Sequence, residues 1–292
     1  MKAIVAGSVA ALVAFTVIAL AGCTAAKSQD DHAASADIAH IHALSAAEDG
    51  TILVASHSGI FRVDDSGDEP VIEGPLGGVP FDAMGFVALD GNWYTSGHPG
   101  TGAPENFEAP NLGLLASEDD GKTWMNVSLS GEADFHALTA SPGDPDRLYG
   151  LRTDMQAMQV SNDGGATWSS GASLVARNLL ADNNPEIVYA TTEDGLARST
   201  DGGKSFTLDE DTPPLVLIAA DPSRGGGLVG IDTAGTIWHK QGDGTWVSGG
   251  IVEGVPQALT VASNGTVIVA LEHGILTSDD FGESWTTLVD ID

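Results

Sequence analysis

Ser117-Glu-Asp119-Asp-Gly121-Lys-Thr123-Trp124 has a near copy in Ser161-Asn-Asp163-Gly-Gly165-Ala-Thr167-Trp168. Two more follow, Ser199-Thr-Asp201-Gly-Gly203-Lys-Ser205-Phe206 and Ser278-Asp-Asp280-Phe-Gly282-Glu-Ser284-Trp285. The shared pattern is S-x-D-x-G-x-[ST]-[WF], and its start-to-start spacings are 44, 38 and 79 residues. The last interval is two periods of about 40, a spacing typical of propeller blades. A degenerate copy, Gly242-Asp243-Gly244-Thr245-Trp246, stands where the skipped repeat belongs.

The repeat is turn chemistry. Ser and Asp side chains hydrogen-bond nearby backbone, and glycine accepts the positive φ of a tight hairpin. The aromatic then opens the next strand and packs between blades. Reading backwards from each copy gives a second strand: Thr51–Ser56, Asn92–Ser96, Arg147–Leu151, Ile187–Thr191, Gly227–Ile231 and Thr266–Ala270. Third strands follow Gly59, Gly113, Gly195 and Gly274. Residues 38–292 therefore hold six units of about 42 residues. The expected fold is all-β, a six-bladed β-propeller of four-stranded antiparallel blades. Seven blades would need a unit that the sequence does not contain.

The repeat resembles the Asp-box, or bacterial neuraminidase repeat, of sialidases, xyloglucanases, sortilin-type receptors and a photosystem assembly factor. In those families the box lies on the hairpin between the third and fourth strands, away from the catalytic face. Over residues 38–292 the chain is also similar to bacterial lipoproteins labelled glycosyl hydrolase or exo-sialidase. The elements behind that likeness are His40-Ile-His42-Ala-Leu44, Ser96-Gly-His98-Pro99 and Asp134-Phe-His136-Ala-Leu138. The label rests on the boxes, which are structural, and one fold hosts many activities.

The N-terminus reads as an address. Lys2, an uncharged apolar run from Ala3 to Ala19, and Leu20-Ala21-Gly22-Cys23 resemble the lipobox of bacterial lipoproteins. The resemblance implies a signal peptide over residues 1–22 and lipid on Cys23. Residues 23–37 are a polar tether. Lipid chains on that terminus would anchor the protein without a spanning helix, so the expected location is the extracytoplasmic side of a bacterial membrane. Cys23 is the single cysteine, so thiol redox chemistry within the domain is excluded.

Eleven Lys and Arg against 41 Asp and Glu give a net charge of −30, which repels phosphate backbones and excludes nucleic acid as a partner. Hydrophobic residues make up 42% of the chain, enough for a core in a monomer. The 37 glycines exceed the usual share of about 7% and point to short strands joined by tight turns.

In a propeller, the start of each innermost strand and the end of each second strand share one face around the channel. Aligning the units makes His42, Met84, His136, Asn178 and Gln257 equivalent, with a fifth-blade start near Leu217. His40, Asp82 and Asp134 stand two residues earlier. Second-strand ends carry His57, His98, Asp154, Glu193, Asp232 and His273. Six of the eight histidines thus fall on one face, leaving His32 in the tether and His239 in a third strand. Three readings follow. The first is a transition-metal site for copper or zinc, with His40, His42, His57, His98, His136 and Met84 as ligands. The same histidines also read as polar lining, hydrogen-bonded to carboxylates. The second is glycoside hydrolysis by a carboxylate pair, Asp82 and Asp134, with Asp154 and Glu193 in reserve. A sialidase proper fits poorly: of six arginines only Arg152 and Arg177 reach this face, and Tyr94, Tyr149 and Tyr189 fall inside strands. The third is a scaffold that binds an envelope protein or a glycan.

Overall fold

A computed structural model describes residues 38–291 apart from positions 39, 48, 68 and 90. The expected signal peptide, Cys23 and the tether with His32 lie outside the described residues. No helix among the described residues is long and apolar enough to cross a membrane. Among the described residues, twenty-four strands, β1 (Ile41–Ala46) to β24 (Thr286–Asp290), form six sheets of four consecutive antiparallel strands. This is the six-bladed propeller that the repeat spacing predicts.

Each blade follows one plan. In the second blade, β5 (Phe81–Leu89) is innermost and β6 (Asn92–Pro99), β7 (Leu114–Ser117) and β8 (Met125–Ser128) step outward. The repeated turn joins the third strand to the fourth. In the turn of the third blade, Ser161 Oγ accepts from the Gly165 amide at 2.8 Å and donates to Asp163 at 2.8 Å. Asp163 in turn accepts from the Thr167 amide at 2.8 Å and the Thr167 hydroxyl at 2.6 Å. The turns at Ser117, Ser199 and Ser278 repeat these bonds. By strand order they lie at the end of the barrel opposite the starts of the innermost strands.

The core is divided among six apolar clusters, one at each blade-to-blade contact. Phe81, Trp93 and Trp124 of the second blade pack on Leu53, Ala55 and Ile60 of the first. The turn aromatics Trp124, Trp168, Phe206, Trp246 and Trp285 all enter these clusters. The ring closes by packing rather than by strand exchange. Ile41, Val54 and Phe61 of the first blade meet Ala258, Ile268 and Ile275 of the last, and Gln257 accepts from the Ile41 amide at 3.1 Å.

Candidate metal centre at the channel mouth

The innermost strands line a central channel of about 680 Å³. Its mouth is shaped by β-bulges, which re-aim side chains by inserting one extra residue. In β1, Ile41 pairs with Ser56 and Ala43 with Ala55, so His42 is the inserted residue. In β9 (Phe135–Ser141) the pairing skips His136. In β5 the register shifts across Met84 and Gly85, and in β17 (Leu215–Asp221) across Val216. Four blades thus bulge at one ring position, and His42, Met84 and His136 lie within three of these bulges. All three line the channel, with Met84 between the two histidines in blade order. The fifth-blade equivalent is Val216, next to Leu217 where the sequence places it. No bulge signal stands in the sequence apart from the residues themselves.

The mouth gathers two groups of potential ligand atoms, each within 4.8 Å of one another: His42, His57 and Asp82, and His98, Asp134 and His136. In each, a histidine at a second-strand end meets the aspartate that opens the next blade. Asp82 thus belongs with two first-blade histidines, and Asp134 with His98 of the second blade and its own neighbour His136. The two aspartates, which the sequence suggests as a hydrolytic pair, stand among the imidazoles as partners.

In the first group His42 Nε2 lies 3.5 Å and His57 Nε2 lies 3.8 Å from Asp82 Oδ1. His42 Nε2 and Asp82 Oδ1 are both buried, and at 3.5 Å neither has a partner of good hydrogen-bond geometry. Burial alone would raise the Asp82 carboxyl. The His42 contact and the charges of His57, His42 and His98 outweigh it, and the group sits below the usual carboxylate value. Burial pushes the His57 ring down against the pull of Asp82. The His42 and His57 rings stack at 4.7 Å, and His40 lies 4.8 Å from His57. His40 takes a positive φ of 57° and belongs to neither group.

In the second group Asp134 is 2% exposed, and its Oδ1 has no hydrogen-bond partner among the described residues. Oδ2 lies 2.8 Å from His136 Nε2 and 3.5 Å from His98 Nε2, and accepts from Thr153 at 3.4 Å. The hydrogen bond to Asp134 raises His136 above the ordinary histidine value, against the effect of burial. His98 is oriented from behind, since its Nδ1 lies 3.0 Å from the Pro110 carbonyl oxygen. A carbonyl only accepts, so Nδ1 carries a proton and Nε2 is the ring nitrogen turned toward the mouth. That nitrogen faces the Asp134 carboxylate. A cation between them, a proton or a metal ion, would be held by both. Two ligands on one tetrahedral zinc, each about 2.0–2.2 Å from the metal, stand about 3.4 Å apart. The His98–Asp134 and His42–Asp82 spacings match that value.

Other residues expected on this face stay out of the groups. Asp154 is held by Arg152 through bonds of 2.8 and 2.7 Å. Asp232 folds back on its own turn and accepts from the Trp238 indole. Glu193 and His273 are exposed and belong to neither group. Arg177 lines the channel and donates to the Pro256 carbonyl at 2.7 Å.

No protein family matches the chain's sequence, and no curated protein matches it. Solved structures do. The GH74 xyloglucanase from Xanthomonas campestris is similar with a TM-score of 0.57 and 14% identity, over 87% of this chain and 46% of that one. An ancestral GH74 enzyme gives 0.52 and 14%, over 86% and 39%. The extracellular domain of a hybrid two-component system from B. thetaiotaomicron gives 0.53 and 12%, over 88% and 34%. This chain spans less than half the length of each of these three, and at such identity the likeness is one of fold.

Proposed function

We propose that this propeller binds a transition-metal ion at its channel mouth through the histidines and aspartates of blades one to three. The observation that carries the reading is His98. Its Nδ1 is held by a carbonyl behind it, as is usual for metal-ligating imidazoles, and its Nε2 faces a buried carboxylate. Two imidazoles and a carboxylate with a position left open is a ligand set of zinc sites. Met84 in the same mouth adds a thioether, which shifts preference toward Cu(I). The negative protein as a whole draws cations to the mouth. Lipid on Cys23 would hold this site on the extracytoplasmic side of the membrane, where it meets metal ions from outside the cell. The test is metal retention by the full chain, purified in detergent without a histidine tag, then loaded with Zn(II), Cu(II) or Cu(I) and desalted. The reading expects near-stoichiometric metal, lost in His42→Ala/His136→Ala with the fold intact. No retained metal overturns it.

Glycoside hydrolysis is the second reading, favoured by the GH74 fold neighbours and by carboxylates on adjacent blades at the mouth. A general acid works best with a raised carboxyl, whereas that of Asp82 is lowered. Turnover of a polysaccharide by the metal-free protein, abolished in Asp82→Asn or Asp134→Asn, would favour this reading. A scaffold that holds an envelope protein predicts neither effect.

A further inference from the structure

The two ligand groups are neighbours through one rung of the second blade. Asp82 of the first group and His98 of the second are directly paired residues of β5 and β6. Side chains of such a pair point to the same face, with Cβ atoms about 4.5–5.5 Å apart. The rung is close-packed by design: Gly97 takes a φ of 143°, and a Cβ there would lie 1.8 Å from the Asp82 carbonyl oxygen.

The geometry points to a two-metal centre: one ion held by His42, His57 and Asp82, and a second by His98, Asp134 and His136, adjacent across the Asp82–His98 rung. This rests on the metal-binding reading and deepens it. Each ion keeps three protein ligands, which leaves a coordination position for water or a substrate oxygen. Neither group shares a ligand atom with the other, so each can be emptied separately.

The test is Cu(II) titration of the full chain, read by metal content and by electron paramagnetic resonance. Wild type is expected to hold two Cu(II) per chain, with dipolar broadening and a half-field signal from the coupled pair. His57→Ala and His98→Ala should each hold one, with an uncoupled spectrum, and the double variant none. His57 and His98 are about half and two-fifths exposed, so both replacements leave the core alone. The glutamine variants at the same positions serve as a second pair if either alanine variant unfolds. One ion in wild type and none in either single variant would mean a single shared site and would overturn the proposal. Two ions without coupling would overturn the adjacency. No ion in wild type would instead sink the metal-binding reading itself.

Discussion

Asp134→Asn separates a metal ligand from a structural carboxylate. Asp134 is 2% exposed, and its Oδ1 has no hydrogen-bond partner among the described residues. Its one short bond, 2.8 Å to His136, is charge-assisted and worth about 1.5–3 kcal/mol. Against it stands the desolvation of a buried carboxylate, several kcal/mol after relaxation. The two nearly cancel, so in metal-free protein the amide is expected to leave stability within about 1 kcal/mol of wild type, or to raise it. For a chain of this size that is a change in Tm of about 2–4 °C at most on the unfavourable side. The sign also depends on pH. His136 is raised above 6.5 in the folded wild type, so its pair with Asp134 contributes fully below pH 6.5. That contribution is lost as pH rises through the raised value. Wild type should therefore gain on the variant at acid pH and lose that gain at alkaline pH. With metal at 100 times Kd, a bound ion adds about 2.7 kcal/mol, or about 5–10 °C in Tm. The variant should lose the part of that rise due to the second ligand group. Thermal melts with and without Zn(II), at pH 5.5 and 8.5, measure both effects. A metal-free variant destabilised by about 3–5 kcal/mol, the cost of breaking a needed buried pair, would refute the reasoning. So would an undiminished metal-induced rise.

Three further outcomes are expected. Gly97→Ala touches no ligand atom, yet its Cβ would meet the Asp82 carbonyl; metal affinity should fall by at least tenfold, and unchanged affinity by calorimetry would show that the rung does not position the site. Ser161→Ala strips the buried Gly165 amide of its acceptor and should cost about 1–3 kcal/mol in urea unfolding, with metal binding unchanged, because the turn lies at the other end of the barrel. Asp201 and Asp280 are held at about 2 against an ordinary 3.8 by hydrogen bonds from Ser205 and Ser284; their contribution is present above pH 3.8 and lost as pH falls to about 2, so Asp201→Asn/Asp280→Asn should flatten the acid limb of the stability curve there, and an unaltered slope by circular dichroism would contradict it.

The fold was legible because the turn repeats are local. Ser, Asp and Gly at fixed offsets close a hairpin whatever lies around them, and their spacing counts the blades even where the Gly242–Trp246 copy has decayed. Ring closure was not legible, since Ile41 meets Ala258 through packing that no local pattern encodes. The mouth was legible in part. Alignment by strand position placed His42, Met84 and His136 on one ring, because bulges recur at the same offset in those blades. The pairing across blades was hidden. That Asp82 belongs with His57 and Asp134 with His98 follows from one blade's twist against the next. The aspartates therefore read as a catalytic pair rather than as companions of the histidines. The Pro110 carbonyl that orients His98 sits at the far end of the Gly97–Asn111 loop, a contact that depends on how the loop returns.

The most direct measurement is an anomalous difference map from crystals soaked in Zn(II) or Cu(II). Density is predicted at the mouth, about 2.0–2.2 Å from His98 Nε2 and the Asp134 carboxylate, with a second peak beside His42 and Asp82. A map with no peak there, or with peaks only on exposed surface carboxylates, would contradict the account.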